Sequence, residues 1–456
     1  MKLKKENIGT YDIMDYLGKT FSCDCGKEHS VDIEKVIIDN GAINRIPEVM
    51  DYFGYKKIFL VADNNTYRVA GAKAEKILAD LGFEVRKHIY LREGVLVPDE
   101  TALGEFIVNY YSDADVILAV GSGVLNDLCK FMSFKLNVPY IIVATAPSMD
   151  GYASITAPLT IGGLKITYTT TIPKAIIGDV DILKEAPIDM IRAGFGDVMG
   201  KYSAINDWKL SRLINDEYYC DFVSELVMHS LEKCIETADG LQRREDNSIR
   251  NLMESLLLTG IAMSFTGNSR PASGAEHHLS HFVEVMYHFD CKEAPSHGIK
   301  VGYSTIVMNY IRERLVKLTP DLNDVKEKAS GFDRDKWLKD VNRLFRQAAP
   351  EIIKLNEEES NSYEKRMERV KRAVGKWNEV VNILSEVPSH NEIREILKKV
   401  GAPVTLKELG VDRDTVVNGL VYAKEIRNRY TVLQLAWDLG ILHELAEEMG
   451  RNFLNE

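Results

Sequence analysis

The feature that most constrains the fold is a rhythm. For about its first 180 residues the chain alternates short apolar, β-branched runs with longer amphipathic ones. Strands are expected at Val36–Ile38, Ile58–Ala62, Val85–Leu91, Val116–Val120, Tyr140–Ala144 and Ala175–Ile177, with helices such as Thr66–Leu81, Thr101–Tyr111 and Leu125–Leu136 between them. Strands that alternate with helices pair in parallel, because each helix carries the chain back across one face of the sheet. The reading is an α/β, Rossmann-like, doubly wound sheet. From about Ile188 onward the pattern is helical almost throughout. The expected organisation is therefore an α/β domain over 1–184, of the kind that binds dinucleotides if its turns bear it out, and an all-α domain over 185–456, with a C-terminal helical extension. The charged segment Glu357–Leu384 reads as a solvated helix face.

A chain of 456 residues is long enough for two cores. The net charge of -11 gives no basic footprint for nucleic acid. No apolar run reaches the roughly 18 residues needed to span a bilayer. The opening stretch MKLKKENIGTYDIMDYL lacks a signal-peptide core, and six cysteines in so long a chain are no disulfide framework. A reducing cytoplasm is the simplest setting.

Strand Val116–Val120 runs into Gly121-Ser122-Gly123 and then a helix, with Asp127 in its first turns. Glycines let backbone amides approach a phosphate, and a helix N-terminus carries about half a positive charge. A plain strand–helix turn would look the same. Asp63 ends the strand Ile58–Ala62, where a carboxylate suits either a ribose hydroxyl or a helix N-cap. The loop Thr145–Gly151, which contains Ser148 and Asp150, follows strand Tyr140–Ala144. It should lie at the carboxyl edge of the sheet, where open α/β sheets bind ligands.

Five of the ten histidines, His277, His278, His281, His288 and His297, fall within 21 residues. Neutral imidazole is the commonest metal ligand. His277 and His281 stand at i and i+4 and share a helix face, and the break expected at Pro295 lets His297 fold back toward His277. A three-ligand site also wants an anion. Asp197, in Gly194-Phe195-Gly196-Asp197, is the candidate, although alone it would suit a helix cap. Cys23-Asp24-Cys25-Gly26 with His29 could supply three zinc ligands, but the C-x-C spacing is tight and a fourth ligand is not evident. A β-hairpin with a glycine turn is the preferred reading there. Cys129, Cys220, Cys234 and Cys291 read as small apolar residues.

Taken in order, GSGVLND (121–127), TAPSMDGYAS (145–154), GFGDVMGKYSAINDW (194–208), SRPASGAEHHLSH (269–281) and SHG (296–298) resemble the sn-glycerol-1-phosphate dehydrogenase family. That family sits with glycerol dehydrogenases, iron-type alcohol dehydrogenases and dehydroquinate synthases. The motifs run from about Val36 to Tyr303, CDCGKEH resembles the longer bacterial branch, and the helices past about Leu318 match no motif. The resemblance implies a dehydroquinate synthase-like fold, and Asp197, His277 and His297 as ligands of one divalent metal ion, zinc or nickel, with His278 a competing neighbour. It implies NAD(P)H at Asp63, Gly121, Ser122, Gly123, Asp127, Thr145 and Ser148. Asp150 falls on the substrate side, and Asp150 or His281 would relay a proton.

Departures among relatives refine the substrate. Lys201 stands where iron-type alcohol dehydrogenases carry a fourth ligand, and SGAEHH replaces the G-H-T motif of dehydroquinate synthases. Arg270 has no counterpart in glycerol dehydrogenases, so Arg270 and Lys201 are candidates for a substrate phosphate. The implied reaction is reversible reduction of dihydroxyacetone phosphate to sn-glycerol 1-phosphate, in phospholipid metabolism, by a homodimer. The rivals are a polyol dehydrogenase of the same fold and a dehydroquinate synthase-like lyase.

Overall fold

The structure, a computed structural model, describes residues 5–162, 164–358 and 362–455; part of the charged segment, 359–361, lies outside them. The chain forms two compact units, Met1–Val198 with Asp221–Ser269, and Met199–Cys220 with Arg270–Glu456.

The first unit opens with an antiparallel hairpin, β1 (Thr20–Ser22) and β2 (Glu28–Ser30). The main sheet follows, with β3 (Lys35–Asp39), β4 (Lys57–Asp63), β5 (Glu84–Tyr90), β6 (Val116–Gly121) and β7 (Tyr140–Ala144). A second hairpin, β8 (Thr156–Ile161) and β9 (Leu164–Thr169), precedes the last sheet strand, β10 (Ala175–Asp179). All six sheet strands are parallel, in the order β3-β10-β7-β6-β4-β5. The expected strands and doubly wound class are present, each boundary within two residues. Every residue of β6 and β7 is buried, which is why both read as continuous apolar runs. The β8–β9 hairpin was not expected: Thr and Pro dilute its apolar alternation and blur the strand signal.

The helices that serve the sheet include α1 (Ile46–Phe53), α2 (Ala72–Asp80), α3 (Glu100–Asn109) and α4 (Gly123–Leu136). From β4 the chain steps outward to β5, then returns to the other side of β4 as β6. The winding therefore reverses between β4 and β6, and their carboxyl ends, Asp63 and Gly121, flank the switch point where such sheets bind ligands.

The division into units differs from the expected break between 184 and 185. Helix α5 (Ile188–Met199) belongs to the first unit as far as Val198, and α6 (Lys201–Asn215) to the second. Helices α7 (Asp221–Glu236) and α8 (Asp246–Thr266) return to the first. They pack on each other, and α8 also packs against the turn Asp150–Ala153 and against β2 and β3. Helical periodicity alone does not say which core a helix joins.

The second unit is helical. Its α6, α9 (Ala275–Phe289) and α10 (His297–Val316) are followed by shorter helices, among them Arg413–Tyr422, Val432–Asp438 and Leu442–Arg451. A buried polar knot holds it. Arg312 donates to Asp207 Oδ1 (2.7 Å) and to Asn206 Oδ1 (2.9 Å), while Asp207 also accepts the backbone N–H groups of Ala275 (2.8 Å) and Val432 (3.0 Å). One carboxylate thus ties α6 to α10, to the start of α9 and to the helix at Val432. Among the described residues, no helix is long and apolar enough to cross a membrane.

Candidate functional site

In the first unit the ligand-facing features gather at the carboxyl ends of β4, β6 and β7. A Cβ on Gly121 would lie 2.3 Å from Leu125 Cδ1, so only glycine allows helix α4 to start this close to its strand. Ser122, at the N-cap of α4, makes no side-chain cap bond to the first amides of the helix. Thr145 N–H donates to Gly121 O (3.1 Å) and joins the loop after β7 to this turn. Asp63 is the N-cap of a short helical turn and accepts from Asn65 N and Thr66 N, both at 2.8 Å. Its cap role is therefore realised at the very place a ribose acid would occupy.

Sequence reading missed Lys130. On α4 and fully buried, its ammonium donates to Gly151 O (2.8 Å) and Thr156 O (2.9 Å) and lies 3.6 Å from Asp127 Oδ1. Burial, only partly offset by Asp127, pulls its pKa below the usual lysine value. The signal for a buried lysine is weak, since lysines on helices are normally solvated. Lys130 sets the shape of the segment that carries Ser148 and Asp150. Opposite it, Gly194 lets α5 cross that segment in backbone contact: a Cβ there would sit 1.9 Å from Pro147 O. Asp197, one turn further along α5, is buried, and its Oδ2 accepts the backbone N–H of Asp150 (3.1 Å). It lies inside a helix rather than at a cap.

In the second unit three imidazoles come together. The ring centroids are 5.1 Å apart for His277–His297, 5.4 Å for His281–His297 and 6.1 Å for His277–His281. Ligand nitrogens of His277 and His297 lie within 4.8 Å of one another, as do those of His281 and His297 with a Glu284 oxygen. Glu276, fully buried, accepts from His277 Nδ1 (2.6 Å) and from Gly274 N (2.7 Å). Its burial would raise its pKa, but the imidazole and the amide outweigh that and hold the carboxyl below the usual range. A carboxylate on Nδ1 fixes the tautomer that presents Nε2 to a metal, so the donor set fits a divalent ion.

His278 faces other company. Neither of its ring nitrogens has a hydrogen-bond partner, and burial, followed by the charges of Arg427, Arg429 and Arg270, pushes it well below the ordinary imidazole range. Burial first, and then the like charges of Arg427 and Arg270, bring the Arg429 guanidinium down to about 9 against the pull of Glu217 and Glu276. The sequence reading did not single out Arg427 or Arg429, which lie some 150 residues beyond the histidine motif.

The expected phosphate cations stand differently. Arg270 is buried and forks onto Glu217, with Nε 2.7 Å from Oε1 and a second contact to Oε2, and it also donates to Tyr430 O (3.1 Å) and Ser211 Oγ (3.2 Å). Lys201 is fully buried and donates to Ala272 O (3.1 Å). Both charges are already engaged. Among the other sequence readings, the Cys23–His29 stretch is a hairpin as expected, and Cys129, Cys220 and Cys234 are buried. Cys291, by contrast, is exposed in a left-handed turn.

This architecture defines a class. Residues 37–187 match the family model described as iron-containing alcohol dehydrogenase. The fold is shared with the crystal structure of glycerol dehydrogenase from Schizosaccharomyces pombe: TM-score 0.58, 16% identity, covering 93% of this chain and 94% of that one. Two relatives narrow it, both described as glycerol-1-phosphate dehydrogenase [NAD(P)+]. The one from Halalkalibacterium halodurans is 33% identical, over 90% of this chain and 94% of its own. The one from Bacillus licheniformis is 33% identical, over 94% and 96% respectively. The chain belongs to the glycerol-1-phosphate dehydrogenase [NAD(P)+] family. Coverage this complete also carries the likeness into the C-terminal helices, which hold none of the motifs.

Proposed function

We propose that this enzyme is an NAD(P)H- and metal-dependent oxidoreductase that reduces dihydroxyacetone phosphate to sn-glycerol 1-phosphate, reversibly. One observation carries the reading: along α9, adjacent residues serve two chemistries. His277 stands with His281 and His297 as metal-type donors, and His278 stands among the arginines. A substrate with a ketone at one end and a phosphate dianion at the other matches that pairing.

Each residue then has a task. Asp197, His277 and His297 hold a divalent ion, zinc or nickel, whose chemistry is Lewis-acid polarisation of the ketone oxygen. The amides of Gly121, Ser122 and Gly123 receive the cofactor pyrophosphate, with Asp127 behind them, and Asp63 receives the ribose. Thr145 and Ser148 bound the nicotinamide end. Asp150 orients the substrate hydroxyl, and His281, partly exposed beside His297, passes a proton between solvent and the carbonyl oxygen. Arg429 and Arg427 take the phosphate, with Arg270 and Lys201 bracing the walls behind it. A cytoplasmic homodimer completes the proposal.

The test compares substrates. NADH consumption should be fast with dihydroxyacetone phosphate and weak with dihydroxyacetone, and chiral analysis should return the sn-1 product. Preference for the unphosphorylated ketone would make the protein a polyol dehydrogenase, and absence of net NADH consumption would point to lyase chemistry.

A further inference from the structure

The hairpin β1–β2 does more than reverse the chain. Its turn is built on Gly26, whose φ of +85° favours glycine, with Gly26 N–H donating to Cys23 O and Cys23 N–H donating to Lys27 O, both at 3.1 Å. This geometry compensates for the short C-x-C spacing. It curls the chain so that Cys23, Cys25 and His29 present sulfur and nitrogen atoms all within 4.8 Å of one another. Cys25 Sγ lies 3.4 Å from His29 Nε2. In a tetrahedral zinc site, with Zn–S near 2.3 Å and Zn–N near 2.05 Å, the sulfur–nitrogen edge is about 3.6 Å. The pair is thus already spaced as two ligands of one ion.

The other nitrogen of His29 adds an independent observation. Nδ1 lies 2.9 Å from the carbonyl oxygen of Phe265, in the last turn of α8, and the imidazole stacks on the Phe265 ring at 5.4 Å. A carbonyl can only accept, so Nδ1 carries the proton and Nε2 presents its lone pair toward Cys25. Metal-bound histidines are held in this way, with the distal N–H on a carbonyl or carboxylate. His29 is fully buried, so its orientation is fixed rather than sampled.

We propose that Cys23, Cys25 and His29 bind a structural zinc ion that closes the N-terminal hairpin and fixes His29 in the orientation in which it bonds the end of α8. It would be a second metal of the chain, with a role in stability rather than in hydride transfer. A donor set rich in sulfur suits zinc, and structural sites commonly close with four protein ligands.

Purified full-length enzyme, never exposed to chelator, should contain zinc beyond the ion that supports turnover. The Cys23→Ser/Cys25→Ser variant should lose one equivalent of zinc per chain, keep turnover when the activating metal is supplied, and melt at a lower temperature. Wild-type protein reconstituted with cobalt should show a thiolate-to-cobalt charge-transfer band in the near ultraviolet, which needs no variant to fold. Equal zinc in wild type and variant, or cobalt-loaded wild type without a thiolate band, overturns the proposal. Loss of turnover in a variant that retains all its zinc also counts against it.

Discussion

Glu276 Oε1 lies 2.6 Å from Nδ1 of His277, its neighbour in the chain, and the same oxygen takes the Gly274 amide at the start of α9. Two adjacent residues of a helix rarely meet, because their side chains diverge by about a quarter turn. They meet here because α9 has only just begun: Gly274 is its N-cap, and the carboxylate folds back onto that amide.

Glu276 should therefore act on metal affinity without touching the ion. In Glu276→Gln the amide still reaches the imidazole but carries no charge. The expected result is a metal affinity 10–100-fold weaker, the usual cost of losing such a partner, with the fold intact by circular dichroism. Metal titration of chelator-treated protein measures it. Unchanged affinity would leave Glu276 as a helix-start device alone.

His277→Ala should lose most of the activating metal and nearly all turnover. His278→Ala should keep the metal, because its ring lies among arginines rather than with the other imidazoles. Its KM for dihydroxyacetone phosphate should change instead. Metal analysis of the two variants side by side decides, and reversed phenotypes would exchange the two residues' roles.

The sequence was legible wherever local chemistry repeats at a fixed period. Five of the six sheet strands stood out as short apolar runs, the edge strand β5, EVRKHIY, by its Val, Ile and Tyr between turn residues, and His277, His281 and His297 because imidazoles clustered. Lys130 was not legible, since nothing around it in the chain says that its helix face is buried. Arg427 and Arg429 approach His278 only through tertiary folding. Arg270 was placed by its nearness to the histidine motif, but Glu217, which engages it, is 53 residues away in the chain. Charge pairing across such separations is set by packing and leaves no local pattern.

Asp63 presents two roles on one carboxylate. As a cap it accepts two amides; as a ribose acid it would repel a 2′-phosphate and favour NADH. Asparagine separates these roles, since it caps about as well as aspartate but has no charge. Asp63→Asn should leave stability within about 0.5 kcal/mol and narrow the preference for NADH over NADPH. Asp63→Ala should narrow it as well, and cost about 1 kcal/mol in urea unfolding. Wild-type enzyme that already favours NADPH would leave only the cap.

Arg270 and Arg429 should fail in different ways. Arg270 is buried and forked onto Glu217, which retains about a third of its side-chain exposure. Removing one member of a buried pair strands the other, at about 3–5 kcal/mol, and the partial exposure of Glu217 places this pair near about 3 kcal/mol. Arg270→Ala should thus lower stability and depress activity on phosphorylated and unphosphorylated ketones alike. Arg429 is pushed down to about 9, first by burial and then by Arg427 and Arg270, and a dianion beside it would favour its charged form. Arg429 also donates to Ser273 O (3.2 Å), so its removal should cost the fold that contact and substrate binding more. In Arg429→Ala, KM for dihydroxyacetone phosphate should rise roughly tenfold or more, the low end for a lost charge-assisted contact, while KM for NADH and the weak turnover of dihydroxyacetone stay near wild type. Urea unfolding and steady-state kinetics on both ketones measure the two arms. If Arg270→Ala is as stable as wild type and loses only the phosphorylated substrate, the phosphate site belongs to Arg270 and its bond to Glu217 opens on binding.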